Sequence, residues 1–377
     1  MSKIKRFIKK IILSFIPLKK IMLLESNPNV SDNTKAVFDE MISRGLNKKY
    51  KMIWVVNGEY LPKTEIKNVF YVNRKSKWGK IKLLYYNVVA KCLISCNSVI
   101  RPYKKKQFSM YLSHSTTVKS VRAYYTIPKS INYFLVASEG VKDIQSYEFN
   151  YDRNKMVALG FPRNDVLTQP PIDVKKVLET DCTKVIVWYP TYRQHRGGLV
   201  TAVKNALPII SDAEFAIQLN ECAKNNNTLI VLKPHFAQDV SYVKDLNLSN
   251  ILFINDDFFV KKNITSYQFV SACDALITDY SSIYFDYTLC NKPIAVIWED
   301  LEDYKKFPGL IDNYEEYLIG AEKVYDIDEL KGFIERVANN EDLLFEERTK
   351  IRDLVNVSTD GCNSKRVVDF ILEKISK

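Results

Sequence analysis

Short apolar runs alternate with helix-like stretches along the first half of the chain. In residues 33–45 the apolar side chains recur at helical spacing, and the pattern begins after Ser31 and ends at Gly45. Apolar runs of strand length, each bounded by polar residues, occupy positions 21–26, 51–57, 68–73, 91–97, 109–114 and 131–138. Because strands that alternate with helices usually form parallel βαβ units, this half predicts a doubly wound α/β domain.

A second alternating series follows the proline-interrupted stretch 168–176, and a helical pattern at 328–339 closes it. Its strand-like runs are 184–191, 227–235, 250–256, 275–279 and 293–298. The sequence therefore predicts two Rossmann-like domains, residues 21–170 and 171–377, that face each other across a cleft. Ligands of such domains bind at the carboxyl ends of the strands.

The first twenty residues follow a different pattern. Apolar side chains recur every three or four positions from Ile4 to Ile16, seven Lys or Arg residues accompany them, and no acid precedes Glu25. A spanning helix needs about 20 apolar residues and a secretory signal needs a small-residue cleavage site, and the segment has neither. We interpret residues 1–20 as a basic amphipathic helix lying on an anionic membrane; the alternative is an ordinary helix that packs against the domain.

Charge is divided unevenly along the chain. The net charge of +11 over 377 residues is the sum of +20 in residues 1–180 and −9 in residues 181–377. A basic half fits nucleic acid, an anionic membrane or a phosphate-rich substrate. The seven cysteines are odd in number and lie mostly in apolar runs, which indicates reduced thiols in the cytosol. Neither G-x-G-x-x-G nor the Walker pattern occurs, which argues against a dinucleotide dehydrogenase or a P-loop NTPase.

Candidate phosphate-binding residues follow a buried strand in the segment ALITDYSSIYFDY. The strand ends in Asp279, and a helix is predicted to begin at Ser281 and Ser282. Asp279 and the serines can cap this helix, and its free N–H groups form an anion site. Hydroxyls and amides of this kind suit a pyrophosphate, whereas the structural alternative is an ordinary helix cap.

Three further strand ends carry polar groups. In the second domain, VLKPHFAQD delivers Lys233 and His235, and VWYPTYRQ delivers Thr191 and Arg193, whose guanidinium can hold a phosphate bidentately. In the basic domain, MYLSHSTTVKS places His114 at a predicted strand end. Two of the three histidines therefore follow predicted strands, one in each domain, and we expect a cleft enzyme with one histidine on each wall.

The segments around these residues resemble the CDP-glycerol glycerophosphotransferase family, which makes wall teichoic acids and related capsular polymers. The resemblance covers most of the chain, from residue 31 to residue 334, and its longest element is ITDYSSIYFDYTLCNKPI. WYPTYRQ and WEDLEDYKKFPG also match family segments, and GFPRNDVL is similar to the family's G-x-P-R-N-D, which adds Arg163 and Asp165.

Two segments depart from the family pattern. SHSTTVKS stands where W-H-G-T-x-x-K is usual, so that His114, Thr116 and Lys119 match but Trp and Gly are replaced by serines. LKPHF keeps His235 where the family shows K-x-H-P, and the following Pro is lost. Because both departures are predicted to lie on the acceptor-side wall, they leave the identity of the acceptor more open than the reaction.

The resemblance implies a GT-B fold, with residues 21–170 as the acceptor-side domain and residues 171–377 as the donor-binding domain. It also implies the transfer of a polyol phosphate, most simply glycerol phosphate, from a CDP-activated donor. The acceptor would be a hydroxyl of a lipid-linked saccharide or of a teichoic or capsular polymer, and CMP would leave. The implied site residues are the catalytic His114 and His235, the donor-binding Thr191, Arg193, Lys233, Asp279, Ser281 and Ser282, and the acceptor-side or secondary Thr116, Lys119, Arg163 and Asp165.

The same resemblance implies a peripheral enzyme at the cytoplasmic face of the cell membrane, with no nucleic-acid partner. No tightly bound cofactor and no protein metal site are expected, although Mg²⁺ from solution on the pyrophosphate is compatible with the reaction. The alternatives are a CDP-ribitol-using transferase, a nucleotide-sugar glycosyltransferase on the same fold and a non-catalytic membrane scaffold. The chain length favours a single-addition enzyme or a capsule transferase over a long-chain polymerase.

Overall fold

The computed structural model describes residues 13, 15–60, 65–191, 207–210, 212–234 and 240–376. The chain divides into two compact units, each with its own parallel sheet. The first unit comprises Met1–His114, Tyr124–Asp165 and Asp360–Lys377, and the second comprises Ser115–Ala123 and Val166–Thr359. The α/β class and the pair of Rossmann-like units are confirmed.

In the described residues, the strands of the first unit are β1 (Lys19–Glu25), β2 (Lys51–Val56), β3 (Val69–Asn73), β4 (Ala90–Ser95), β5 (Phe108–Tyr111), β6 (Tyr133–Val136) and β7 (Met156–Ala158). Those of the second unit are β8 (Lys184–Trp188), β9 (Thr228–Leu232), β10 (Ile251–Phe253), β11 (Ala275–Thr278), β12 (Ile294–Ile297) and β13 (Glu322–Val324). Every run predicted from the sequence overlaps one of these strands. The sequence reading missed β7 and β13, which have only three residues each and lie at sheet edges.

The helices, numbered along the chain, are α1 (Asp32–Ser43), α2 (Lys77–Val89), α3 (Lys142–Glu148), α4 (Val174–Leu178), α5 (Ala213–Asn225), α6 (Ser241–Lys244), α7 (Asp256–Lys262), α8 (Ser266–Ala272), α9 (Ile283–Tyr287), α10 (Leu301–Lys306), α11 (Tyr314–Tyr317), α12 (Ile327–Ala338), α13 (Phe345–Val355) and α14 (Asn363–Ser376). Short 3₁₀ turns occur at Leu46–Lys48, Glu139–Val141, Arg153–Lys155, Pro162–Thr168 and Thr288–Cys290. The predicted helix at 33–45 corresponds to α1, and Gly45 follows it at a φ of +69°, a conformation that favours glycine.

Strand order explains where ligands can bind. The seven-stranded sheet runs β3-β2-β1-β4-β5-β6-β7, the six-stranded sheet runs β10-β9-β8-β11-β12-β13, and all the neighbouring strands are parallel. The direction in which the sheet grows reverses between β1 and β4 in the first unit and between β8 and β11 in the second. In open α/β sheets, ligands bind beside the carboxyl ends of the strands at such a reversal.

Burial of both sheet faces accounts for the continuous apolar runs in the sequence. Trp54 of β2 and Trp188 of β8 are completely buried, and each lies on an interior strand of its sheet. The core of the first unit lies around β1, β2 and β4, and the core of the second lies around β8, β9, β11 and β12.

The units differ from the predicted division at residues 170/171 in three places, and the first is a small shift of the boundary itself to residues 165/166. Helix α14 belongs to the first unit, where the ring of Phe370 packs edge-on against that of Tyr133 with centroids 4.9 Å apart. Residues Ser115–Ala123 belong to the second unit because their backbone is bonded there: Ser120 N–H donates to Gly309 O at 3.0 Å. The local sequence does not predict where either segment belongs, since both placements depend on contacts between residues far apart in the chain.

The predicted amino-terminal helix lies mostly outside the described residues, which omit 1–12 and 14. Leu13 and Ile16 are partly buried against the core around β1 and β4. Strand β1 begins at Lys19, so the predicted helix bound at residue 20 is wrong at its carboxyl end. Among the described residues, no helix has the length and hydropathy needed to cross a bilayer.

Candidate functional site

The reversal point of the second sheet is marked by a contact between Thr191 and Asp279. Both residues extend just beyond the carboxyl ends of neighbouring strands, β8 and β11. Thr191 N–H donates to Asp279 Oδ2 at 2.8 Å, and the Thr191 hydroxyl donates to the other carboxylate oxygen. Asp279 is buried, so that the two bonds hold the Thr191 loop against the end of β11. The structure thus brings together two residues that the sequence placed on separate strand ends.

Lys233 follows β9, the next strand of the same sheet. Its Nζ lies 3.0 Å from Asp256 Oδ1 and 5.7 Å from the centre of the Tyr189 ring. Because Asp256 is highly exposed, this ion pair contributes little to stability. A cation therefore lies at the carboxyl ends of the strands, as Thr191 and Asp279 do, and it can attract a phosphate there.

The residue between Asp279 and the two serines is fixed by a second motif. Tyr280 is completely buried, its ring stacks on Tyr304 with centroids 3.7 Å apart, and its hydroxyl donates to Asp300 Oδ1 at 3.2 Å. Asp300 and Tyr304 are the D-x-x-x-Y pair of WEDLEDYKKFPG. This motif therefore anchors the loop that carries Asp279, Ser281 and Ser282. The sequence showed its resemblance to the family segment but not this structural role.

The two serines lie at the start of the short helix α9. Ser282 occupies the cap position at φ −65° and ψ −13°, and its side chain makes no cap hydrogen bond. The prediction that its hydroxyl caps the helix is therefore wrong, because a capping residue normally adopts the extended conformation that aims its oxygen at the helix N–H groups. Ser281 and Ser282 are both partly exposed. Their hydroxyls can therefore reach a ligand at this edge of the sheet.

In the first unit, His114 follows β5 through a sharply turned residue. Ser113 has a φ of +53°, an uncommon conformation for a residue with a side chain, and His114 is partly buried. The Ser113 carbonyl accepts hydrogen bonds from Asn33 Nδ2 at 3.1 Å and from Cys96 Sγ at 2.7 Å. Burial raises the pKa of Cys96 well above its ordinary value, which keeps this thiol protonated as a donor. The backbone before His114 is thereby held from two sides.

Arg163 extends this support. Its Nη1 lies 2.9 Å from Asp32 Oδ1, both side chains are largely buried, and its backbone N–H donates to Asn33 Oδ1 at 3.0 Å. Asn33 is itself completely buried. The side-chain amide of Asn33 thus joins the G-F-P-R segment to the residue before His114. Asp32 and Asn33 were not predicted as site residues. Their position could have indicated them, because the helix that follows β1 begins at Asp32, beside the point where the strand order reverses.

Asp165 has a structural task in the first unit. Its carboxylate accepts the backbone N–H groups of Asn363 at 2.7 Å and Ser364 at 2.8 Å, so that it caps the start of α14. Burial raises the pKa of Asp165, and these hydrogen bonds partly oppose that effect. These contacts give Asp165 a structural role within the first unit.

Thr116 and Lys119 were predicted to belong with the acceptor-side domain, and the structure corrects this placement. Both lie in the segment that folds with the second unit, where Lys119 forms an antiparallel bridge with Leu310. Thr116 is buried, whereas Lys119 is partly exposed. The motif that begins with His114 is therefore shared by the two units, with its histidine assigned to the first and its Thr and Lys to the second.

Two predicted site residues, Arg193 and His235, lie outside the described residues. Among the residues that are described, no group of three or more His, Cys, Asp or Glu side chains could hold a metal ion. All seven cysteines are free thiols.

Comparison with known proteins finds a family model that matches nearly the whole chain. The model of the CDP-glycerol:poly(glycerophosphate) glycerophosphotransferase family matches residues 10–373. The chain is 25% identical over 391 residues to the teichoic acid glycerol-phosphate primase of Bacillus subtilis, covering 96% of this chain and 93% of that protein. It is also 25% identical to the teichoic acid ribitol-phosphate polymerase TarL of Staphylococcus aureus, covering 94% of this chain and 63% of TarL.

The fold is similar to that of a solved structure, the wall teichoic acid polymerase TagF. The TM-score is 0.72 at 22% sequence identity, over 95% of this chain and 90% of that one. This likeness concerns the fold.

Proposed function

Because the chain belongs to the CDP-glycerol:poly(glycerophosphate) glycerophosphotransferase family, we propose that it transfers glycerol phosphate from CDP-glycerol to a hydroxyl of a lipid-linked saccharide. The family match makes the chain a teichoic acid polyol-phosphate transferase in the broad sense. The observation that carries the finer proposal is the Thr191–Asp279 contact at the sheet reversal, with Lys233 on the adjacent strand. Hydroxyl, amide and ammonium donors at such an edge are suited to a pyrophosphate.

The proposed reaction is a phosphoryl displacement. The acceptor oxygen forms a bond to the β-phosphorus of CDP-glycerol, the bond from that phosphorus to the CMP oxygen breaks, and the hydroxyl proton passes to a base. A neutral alcohol is a weak nucleophile, and histidine is the side chain that titrates nearest the working pH. His114 is our candidate for the base, because its backbone is fixed by the buried Asn33 and Cys96 contacts.

The second unit is proposed to hold the donor. Lys233, Ser281 and Ser282 would bind the pyrophosphate, and Thr191, whose N–H and hydroxyl both donate to Asp279, would hold the loop after β8 beside it. Charge builds on the transferred oxygens and on CMP as the bond breaks, and cations and oriented donors stabilise it. Arg193 and His235, the second catalytic candidate, complete the proposed set from sequence alone. Thr116 and Lys119 stay predicted acceptor-side or secondary contacts.

Glycerol is preferred over ribitol as the transferred polyol because the similarity to the glycerol-phosphate primase extends over 93% of that protein. The ribitol-phosphate polymerase TarL is as similar in identity, but the chain spans only 63% of its length. A CDP-ribitol-using enzyme is therefore the second candidate. The proposed location is peripheral, at the inner face of the membrane, where the basic segment 1–20 would bring the enzyme to a lipid-linked acceptor.

A donor panel tests the proposal. The purified chain is incubated with CDP-glycerol, CDP-ribitol or a UDP-sugar, each with a lipid-linked saccharide acceptor, and nucleotide release is followed by chromatography. We expect acceptor-dependent CMP release from CDP-glycerol, exceeding that from CDP-ribitol. Acceptor-dependent UDP release with no CMP would instead indicate a glycosyltransferase, and no release from any donor would favour the non-catalytic scaffold.

A further inference from the structure

Helix α2 of the first unit carries an apolar stripe on its exposed side. Trp78, Ile81 and Tyr85 are 75%, 59% and 45% exposed, respectively. Their spacing of three and four residues places them on one face of the helix. Isolated exposed apolar residues are common, but a row of three on one helix face marks an interaction surface.

The other side of α2 is committed to the core. Leu83 and Leu84 pack against the apolar cluster around β1 and β4. Gly79 lies so close to the preceding loop that an added Cβ would be 1.7 Å from Asn73 O. Ser76 fixes the helix start by accepting the Gly79 N–H at 2.9 Å. Packing of the unit therefore holds α2 in one orientation, with Trp78 directed away from the core.

Positive charge surrounds the stripe. The exposed lysines before and along it are Lys75, Lys77, Lys80 and Lys82. Lys19, at the start of β1, donates a hydrogen bond from Nζ to Tyr85 Oη at 2.6 Å. No Asp or Glu occurs between Glu65 and Glu139. The nearby Glu25 is buried and paired with Arg74, so it does not offset the lysines at the surface.

We propose that this face of α2, formed by Trp78, Ile81 and Tyr85 with the four lysines, docks on the surface of an anionic phospholipid bilayer. The proposal rests on the peripheral location proposed above and adds an attachment point within the folded first unit. Trp and Tyr side chains favour the boundary between headgroups and acyl chains, because their rings are apolar and their tips are polar. Lysines bury their methylene stems and direct their ammonium groups to lipid phosphates.

Charge complementarity selects a lipid surface over the other occupants. In a symmetric contact, a second copy of the chain would present the same lysines, which would repel each other. A protein partner would need a surface both apolar and acidic, whereas an anionic bilayer offers acyl chains and phosphates at the depths that the rings and ammonium groups occupy.

The four tryptophans provide a direct test. Trp54 and Trp188 are completely buried, Trp298 is 4% exposed, and Trp78 is 75% exposed, so a change of environment at the surface is reported by Trp78. The full chain is titrated with vesicles of phosphatidylcholine containing phosphatidylglycerol. We expect a blue shift of the emission and quenching by brominated acyl chains, both absent in Trp78→Phe although this variant still sediments with the vesicles.

Matched substitutions test the lysines and the stripe separately. Replacing Lys77, Lys80 and Lys82 by Gln should weaken vesicle partitioning by about tenfold or more, because each basic residue at the surface contributes to binding. Trp78→Ser with Ile81→Ser should weaken it comparably. The control pair Leu343→Ser and Phe345→Ser removes apolar side chains of 61% and 47% exposure from the second unit, and vesicle binding should stay unchanged.

The outcomes separate this inference from the proposed function. If the full chain does not bind anionic vesicles at all, the peripheral location fails and the α2 inference fails with it. If the chain binds but Trp78 is neither shifted nor quenched, the α2 inference alone is overturned. Equal binding to vesicles of pure phosphatidylcholine, or a blue shift on concentration without lipid, would also overturn it, the latter in favour of self-association.

Discussion

The side-chain amide of Asn33 donates a hydrogen bond to the main-chain carbonyl of Ser113 at 3.1 Å, immediately before His114. Asn33 also accepts the backbone N–H of Arg163, so that one buried side chain connects three segments of the first unit. If His114 is the base, this contact determines where its imidazole lies.

We expect Asn33→Ala to lower kcat by about 10- to 100-fold while the KM for the donor changes little. A base displaced by even 1 Å loses about two orders of magnitude in rate, whereas donor binding belongs to other residues. Steady-state kinetics with CDP-glycerol measures the split. Asn220→Ala is the matched control, since this buried amide accepts the backbone N–H of Asn250 at 2.8 Å in the second unit. That variant should lose stability and retain its rate per folded molecule; an equal fall of kcat in both would contradict the role of Asn33.

Asp279→Asn should weaken CMP binding by about tenfold or more. The variant loses an acceptor for Thr191, and hydrogen bonds to a charged group are each worth about 1.5–3 kcal/mol. Titration calorimetry measures the dissociation constant. Asp286→Asn serves as the control because Asp286 is equally buried and accepts the Tyr267 hydroxyl at 2.5 Å on α9. Unchanged CMP affinity in Asp279→Asn would show that the Thr191 contact is purely structural.

Tyr304→Leu removes the ring that stacks on Tyr280 and should destabilise the loop bearing the serines. An aromatic pair is worth about 0.5–1.5 kcal/mol beyond its buried area. We expect a lower midpoint in thermal unfolding and weaker CMP binding, with Tyr304→Phe restoring both because it keeps the ring. Loss of binding in the Phe variant would mean that the hydroxyl of Tyr304, not its stacking, matters.

Asp165→Asn tests the capping role with a pH signature. The variant should lose about 1 kcal/mol of stability, the usual value of a helix cap, with turnover per folded molecule unchanged. Because burial raises the pKa of Asp165 in the folded state, its stabilising effect is greatest below the unfolded pKa and falls as pH rises through the folded value. The difference in unfolding free energy between wild type and variant should therefore shrink from acid to neutral pH. Urea denaturation across that range measures it, and a difference that grows with pH would contradict this sign.

Much of the fold follows from the sequence pattern, because strands buried on both faces, such as 51–56 and 184–188, are continuous apolar runs. Thr191 and Asp279 could be predicted at the same carboxyl edge of one sheet, since each lies within three residues of the end of such a run. The contact between Asn33 and Ser113 could not be predicted in this way. This hydrogen bond joins residues that are 80 positions apart, and Ser113 lies in a turn at positive φ. The periodicity of apolar residues gives no information about such a pair. The predicted placement of Thr116 and Lys119 in the first domain was wrong for the same reason, since their membership of the second unit depends on backbone pairing with the distant residues 309–311.

His114→Ala should lower turnover by about 10² or more, the usual scale of acid–base catalysis. His195→Ala provides the comparison, since this histidine lies in the glycine-flanked segment QHRGG and has no place in the proposed chemistry. Acceptor-dependent CMP release measures both, with circular dichroism to confirm the fold. A folded His114→Ala enzyme with near-normal turnover would remove His114 from the role of base, while the donor assignment would be unaffected.

Mass spectrometry of the acceptor tests the central claim most directly. A lipid-linked saccharide is incubated with CDP-glycerol and wild-type enzyme, and its mass is compared with that from a parallel reaction with His114→Ala. The proposed function predicts that the acceptor gains the mass of glycerol phosphate with wild type, with one CMP released per unit added, and that the gain is strongly reduced in the variant. An acceptor of unchanged mass with CDP-glycerol, but increased by a sugar when a UDP-sugar is supplied, would contradict it.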